Sequence, residues 1–566
     1  MSTGQFVITF LPSGVTAPVN AGATLLEAAA SAGIGVNSVC GGRGTCGKCR
    51  ARVAAGAVSG VTEAERSLLA AAELERGVVL LCRRRATGDA VVELRAEETA
   101  PGEEKSGGFT KEQAMLDGLP AAPDPPLERE GITGECYGIA VDMGTTSVAG
   151  YLADLVRGRT AAAVSSANLQ RVHGADVISR ITYVLENPGG LERMRELAVQ
   201  TIDGVVAQLL ARAGVLPERV YLMTLIGNTV MSHLLLGVSP AGLAAAPFAP
   251  AFTGGVEGTA AELGLTSLPG GTRFIMLPNI AGYVGSDTVG VILAAEMYRR
   301  PGNWLAVDVG TNGEIVLTAD RGTGVPARML TCSTAAGPAF EGARIGMGMR
   351  AEPGAIYEVQ FDNDDIRCLV VGGGQPAGIC GSGLVDAVAV LVELGLVNEA
   401  GRIIDPADGP PDTPERVRER IRPAGKGFKF VLIEAAGDRR EVAVTQQDIS
   451  ELQLAKGAIR AGSEVLLRRA GLSAADLDGV LLAGAFGSNL RPWSVKTIGL
   501  LPDIDPGRVK PVGNAAGTGA VLALLSRAQL ATAAGIPERV EHVELSADGD
   551  FQELFITALG FEVGKG

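Results

Sequence analysis

The chain has 566 residues, 46% of them hydrophobic, a formal net charge of −14 and a pI near 5.0. That length supports several packed cores, two to four domains being the ordinary expectation. The acidic balance argues against nucleic-acid binding, which needs a basic stripe to neutralise phosphates.

The opening MSTGQFVITF has neither the basic segment nor the apolar core of a signal peptide. No uninterrupted apolar run reaches the roughly 18 to 20 residues that cross a bilayer, so a cytoplasmic protein without a membrane partner is expected. QFVITF and VTAPVN read as two short strands around LPSG, and TLLEAAASAG has helical spacing. Next come a cysteine-rich loop, the β-rich CRARVAAGAV, a helix within TEAERSLLAAAEL, the stretch GVVLLCRRR and a final strand AVVELRAE. Hairpin, helix and a loop returning to the sheet make a small α+β unit over residues 1–97. Residues 98–134 are rich in Pro, Gly and charge and read as a linker that lets the first unit move. Beyond it, apolar strands such as YGIAVDMG, RVYLMTLIGN, WLAVDVG and LDGVLLAGAFG alternate with amphipathic helices, which predicts α/β sheets covered by helices. IAVDMGTTSVAGYL and LAVDVGTNGEIVLT echo each other, which predicts two halves of similar fold, 135–302 and 303–566, facing one cleft.

Half of the eight cysteines lie at Cys40, Cys46, Cys49 and Cys82. The others, Cys136, Cys332, Cys368 and Cys380, are scattered singly and read as small buried hydrophobes. This usage suits a reducing compartment with one metal site rather than a disulfide framework. A zinc ribbon carries two compact CxxC knuckles, and the second is missing here. Three close thiolates with a distant fourth is the pattern of a [2Fe-2S] cluster. Gly41, Gly42, Gly44 and Gly47 suit a loop that wraps an anionic cluster, which asks for positive φ and close backbone approach. The spacing C-x5-C-x2-C is one residue longer than the plant type and resembles the adrenodoxin-like variant of the β-grasp ferredoxins.

In Asp142-Met-Gly144-Thr145-Thr146 and Asp308-Val-Gly310-Thr311-Asn312-Gly313 a carboxylate leaves the strand just before a tight turn. Such turns present N–H and hydroxyl donors to phosphate, and the Asp can orient hydrated Mg²⁺. One copy alone also fits plain turn geometry; two copies plus LLAGAFGSN resemble the phosphate 1, phosphate 2 and adenosine motifs of the acetate and sugar kinase, Hsp70 and actin superfamily. No Walker A sequence is present. The resemblance implies two ribonuclease H-like lobes closing on ATP and Mg²⁺. Asp142, Gly144, Thr145 and Thr146 would serve from one lobe, and Asp308, Gly310, Thr311, Asn312 and Gly313 from the other. Gly484, Ala485 and Phe486 would lie under the adenosine. Asp287 resembles the catalytic Asp of the sugar kinases, where it would orient and deprotonate an attacking water, and it equally suits the N-cap of the helix TVGVILAAEMYRR. Lys456 is either a ribose or adenine contact or an exposed helix lysine. Gly381, Ser382 and Gly383 are either a nucleotide contact or a tight helix start. His173, His233 and His542 stand alone, without a metal-ligand pattern.

Ferredoxin and ATPase motifs in one chain, with IGNTVMSHLLLG, LPNIAGYVGSD, STAAGPAFEGA and GICGSGLVDA, resemble the reductive activators of corrinoid proteins over essentially the whole length. That resemblance implies ATP-dependent transfer of one electron to the Co(II) corrinoid of a methyltransferase partner, restoring Co(I), with a low-potential electron donor upstream. A potential gap of about 100 to 200 mV below a ferredoxin near −400 mV costs roughly 2 to 5 kcal/mol per electron, which nucleotide offsets only by coupling to conformation. A redox-regulated small-molecule kinase and an ATP-driven donor to another low-potential enzyme are the competing readings. The sequence leaves homodimer formation open.

Overall fold

The computed structural model describes residues 5–562 except 35, 37, 39, 95–122, 128–133, 321, 323, 325, 343, 438 and 439. The chain packs as two compact units. Among the described residues, one comprises those within 5–94, 134–156 and 160–275, the other those within 123–127, 157–159 and 276–562.

In the first unit the N-terminal sheet has the order Val15–Asn20, Gln5–Leu11, Ala86–Glu93, Arg50–Val58, Val78–Leu80. Gln5–Leu11 pairs antiparallel with Val15–Asn20 and parallel with Ala86–Glu93, the crossing pattern of a β-grasp. The helix Leu25–Ser31 begins at a Thr24–Glu27 capping box and buries Leu25, Leu26, Ala28, Ala29 and Ala30 on the sheet. A second box, Thr62–Glu65, starts Glu63–Leu68. The fully buried Glu65 carboxylate also accepts from Leu80 N (3.0 Å) and Arg84 Nε (2.8 Å). This ion pair ties the helix to the stretch that carries Cys82.

The expected linker lies largely outside the described residues. Its described part is held in place: Asp124 N donates to Leu525 O at 2.9 Å and Arg527 N to Asp124 O at 2.7 Å. Nor does the N-terminal domain stand apart. Its core around Ile8, Phe10, Leu25 and Val92 continues into Leu169, Val172 and Leu197 of the next domain, apolar burial that fixes the two together.

The rest of the first unit is built on a sheet ordered Val256–Thr259, Arg273–Met276, Val220–Gly227, Tyr137–Met143, Ser147–Asp154, Arg159–Ala167. The long helix Gly190–Ala213 covers it closely, and a Cβ on Gly150 would meet Val205 Cγ1 at 2.5 Å. The second unit repeats the scheme as Val509–Pro511, Gly479–Ala483, Trp304–Val309, Gly313–Ala319, Arg328–Thr334, Val540–His542. In each sheet the strand ending in Asp-x-Gly-Thr is antiparallel to the next strand and parallel to its other neighbour. This is the ribonuclease H-like arrangement twice over, so the fold is a β-grasp ferredoxin followed by two such α/β lobes. Residues 276–302, placed with the first lobe by sequence, pack with the second unit because Ser286–Ala294 lies against Ala515–Leu525; a Cβ on Gly290 would stand 2.6 Å from Ala516 O.

Candidate redox and nucleotide sites

Cys40, Cys46 and Cys49 lie on the loop between Leu25–Ser31 and Arg50–Val58, and Cys82 follows Val78–Leu80. Leu81 N donates to Cys49 O at 2.9 Å, joining the two segments. The thiols stand as two pairs. Cys40 and Cys46 share a hydrogen bond that holds Cys40 down to about 4 and, with burial, pushes Cys46 up. Cys49 Sγ lies 3.3 Å from Cys82 Sγ, and that hydrogen bond together with burial raises Cys49. Among the described residues no three His, Cys, Asp or Glu groups converge on one point as a metal ion requires. Structural zinc needs four donors around a single point, whereas two irons take two thiolates each, so paired thiols fit a [2Fe-2S] cluster. Gly41, Gly42, Gly44 and Gly47 have φ of 58°, 80°, 75° and 65°, the backbone expected of a loop wrapping such a group.

The first phosphate turn, Gly144–Thr146, leaves the strand at the buried Asp142. Its carbonyls are held from outside. Asn168 Nδ2 donates to Gly144 O and Asn168 N to Thr146 O, both at 2.9 Å, and the Arg180 guanidinium donates to Thr145 O. Fixing the peptide planes fixes where their N–H groups point. Asn228 Nδ2 donates to Thr145 Oγ1 at 3.0 Å, and the hydroxyl keeps its own proton to give. Asn228 also caps Thr229–Leu236, accepting from Met231 N. The sequence had pointed to the turn but not to Asn168, Arg180 or Asn228. Only the quoted IGNTVMSHLLLG, with Asn before a helix, carried a signal.

In the second unit Asp308 pairs with Ala483 on one side and Glu314 on the other. Gly484 has φ 87°, and a Cβ there would come within 2.4 Å of Asp308 Oδ1, so the adenosine motif abuts the phosphate turn. Gly484–Gly487 forms one helical turn, with Phe486 packed on the core. Gly310 N donates to Asn312 O at 3.0 Å. The Thr311 hydroxyl donates to Glu341, which engages it within the protein. Gly313 lies under Ile459, to which a Cβ would come within 2.8 Å. Asp287 is not the helix N-cap: Gly285 fills that position, and Asp287 sits in the first turn with its carboxylate accepting from Thr288 N at 2.8 Å. Burial, then Asp287 and Asp308, hold the Glu314 carboxyl well above its ordinary value. Sequence reading missed Glu314, which replaces the Val148 of the first hairpin.

Gly381, Ser382 and Gly383 open the buried helix Gly381–Glu393. Cβ atoms on the glycines would stand 1.7 Å from Phe340 O and 2.2 Å from Ile356 O, and Ser382 Oγ donates to Tyr357 O at 2.8 Å. Close packing alone accounts for glycine at both positions. Lys456 is not an exposed lysine. It is buried, donates to Gly560 O and lies 4.8 Å from the Phe561 ring centroid, and burial lowers it to about 7. His233 is a core histidine, with Nδ1 against Thr229 O and Nε2 accepting from Ala251 N. His173 stacks on Tyr183 at 4.0 Å.

Thiol pairs on a β-grasp and phosphate turns on ribonuclease H-like lobes define an iron–sulfur protein fused to a nucleotide-binding ATPase. Residues 8–87 match the 2Fe-2S iron-sulfur cluster binding domain, 137–300 the RACo middle region and 302–564 the C-terminal ASKHA domain of RACo. The chain is 36% identical over 425 residues to corrinoid activation enzyme RamQ of Eubacterium limosum, covering 74% of this chain and 69% of that one. It is 24% identical over 460 residues to the [Co(II) methylated amine-specific corrinoid protein] reductase of Methanosarcina barkeri, covering 75% and 77%. The solved reductive activator for corrinoid, iron-sulfur protein matches 98% of both chains at 30% identity and a TM-score of 0.68. The chain belongs to the family of reductive activators of corrinoid proteins, with a [2Fe-2S] domain and an ATP-binding ASKHA domain.

Proposed function

We propose that this protein is an ATP-hydrolysing activase that reductively restores corrinoid proteins, returning a Co(II) corrinoid of a methyltransferase system to Co(I). The observation that carries the reading is the presence, in one chain, of two thiol pairs, three of their four cysteines on a glycine loop, and two Asp-x-Gly-Thr turns on ribonuclease H-like sheets. When bound by Cys40, Cys46, Cys49 and Cys82, a [2Fe-2S] cluster supplies single electrons near −400 mV. The loop glycines bring backbone N–H groups up to it.

In the first unit Gly144, Thr145 and Thr146, and in the second Asn312 and Gly313, offer donors to phosphate, while Gly310 shapes its turn with its N–H on Asn312 O. Asp142 and Asp308 are the carboxylates that would hold Mg²⁺ at their respective turns, and Gly484, Ala485 and Phe486 would take the adenosine. Asp287 is the proposed base for the attacking water, and the raised Glu314 beside it keeps negative charge from accumulating there. An acidic, cytoplasmic chain drawing on a low-potential electron donor fits this work. No described helix is long and apolar enough to cross a membrane.

The deciding assay combines anaerobic, cluster-loaded protein, a Co(II) corrinoid methyltransferase subunit, a low-potential reductant and Mg·ATP. Co(I) absorbance is expected to rise with ATP. A rate independent of ATP, or no Co(I), overturns the reading.

A further inference from the structure

One short stretch of the first unit, Asn168 to Arg180, touches both chemistries. At one end it grips the phosphate turn: Asn168 holds Gly144 O and Thr146 O, and Arg180 holds Thr145 O. At the other it bears on the cysteine loop. A Cβ on Gly41 would stand 2.9 Å from His173 O and 3.2 Å from Gly174 Cα, and Arg43 reaches Ser179 Oγ at 3.5 Å.

The middle of the stretch is braced. Arg180 is fully buried and donates to Gly174 O at 3.0 Å and Gln170 Oε1 at 3.1 Å, while Gln170 Nε2 donates to Met194 O at 2.9 Å. The same guanidinium therefore holds a carbonyl of the phosphate turn and the carbonyl of Gly174, the residue whose Cα, with the His173 carbonyl before it, lies against the loop bearing Cys40. Buried, fully bonded networks of this kind switch between discrete packings rather than deforming smoothly.

We propose that residues 168–180 are the coupler between nucleotide and redox loop. Phosphates drawn onto the Gly144–Thr146 turn re-aim its peptide planes, and Arg180 and Asn168, as positioning residues, carry that change to Gly41 and so to the surroundings of Cys40 and Cys46. The coupling rests on the reading that this turn binds nucleotide phosphate. It assigns to one segment the link that ATP-driven electron delivery needs between its two sites.

The test uses the full, cluster-loaded chain with Mg·ATP, Mg·ADP or a non-hydrolysable ATP analogue. Nucleotide binding is followed by calorimetry, amide hydrogen exchange over 40–46, and the reduced cluster by electron paramagnetic resonance. In the wild type, Mg·ATP is expected to change exchange at 41–44 about fivefold or more and to shift the resonance signature. Gly174→Ala changes neither a thiol nor the Gly144–Thr146 turn, but its Cβ would stand 2.7 Å from Ser179 Cβ and 3.1 Å from Arg180 N. It is expected to bind Mg·ATP, keep its iron and lose both responses, as is Arg180→Met. Should Arg180→Met shed its iron, Gly174→Ala and the wild type decide. Wild-type protein that binds Mg·ATP with no change at 40–46, or a response that survives in Gly174→Ala, overturns the coupling and leaves nucleotide binding standing. Failure to bind Mg·ATP removes the reading beneath it and the coupling with it.

Discussion

Asp308 and Glu314 are direct partners across the second hairpin, two carboxyl groups that cannot both ionise cheaply with Asp287 nearby. Burial and the two neighbouring aspartates hold the Glu314 carboxyl well above its ordinary value. Its folded value lies above its unfolded one, so the native state binds more protons and stability falls as pH rises from about 4.5 toward the raised value. Without nucleotide or Mg²⁺, Glu314→Gln is expected to melt a few degrees above wild type at pH 8, the gap closing near pH 5. Equal melting at both pH values would refute the protonated carboxyl.

Asp287 distinguishes hydrolysis from binding. Because it does not cap its helix, Asp287→Asn is expected to bind Mg·ATP while phosphate release falls by about 10²-fold or more. Undiminished release assigns Asp287 to the helix start alone.

Removing one member of either thiol pair breaks a two-thiolate iron site. Cys46→Ser and Cys82→Ser are each expected to lose the visible spectrum and most of the iron. Cys136→Ser, buried outside the loop, keeps about two irons per chain. Iron retained in Cys82→Ser would show that the fourth ligand lies elsewhere.

Arg84→Met leaves the buried Glu65 carboxylate unpaired and is expected to cost about 3 to 5 kcal/mol, read as earlier thermal loss of cluster absorbance. Burial alone would raise Glu65, but donors from Thr62, Leu80 and Arg84 outweigh it and hold the group below 4.5. Its contribution is present above the unfolded value and fades as pH falls through the folded one. Glu65→Gln should therefore flatten the acid limb of the stability curve, and an unchanged limb would count against the pair.

For Lys456 the slope is opposite to that of Glu314. Between about 7 and 10.5 the unfolded chain binds the extra proton, so stability rises with pH across that window. Lys456→Met is expected to lack the rise and to melt higher than wild type at pH 7. A parallel pH profile for the two proteins would contradict the buried amine.

The cysteine loop and both hairpins were legible because their chemistry is written in contiguous residues: four glycines among three thiols, and a strand ending in Asp-x-Gly-Thr. What stayed hidden depends on distant chain. Lys456 reads as a surface lysine until Gly560 and Phe561 arrive to cover it. Arg180 lies 35 residues from the carbonyl it holds, on a helix whose spacing says nothing of the turn. Glu314 was in plain view, but only the antiparallel register reveals that it faces Asp308. Of the two readings open for Asp287, the cap fails because the helix starts at Ser286, two residues before Thr288.

Leu169, Val172 and Leu197 complete the interior of the N-terminal sheet. A gene fragment stopping at residue 97 would leave that oily side bare, and such a product is expected to clump rather than circulate as a free shuttle. Swapping in a ferredoxin from another source would fail for the same reason unless the graft brought a matching face.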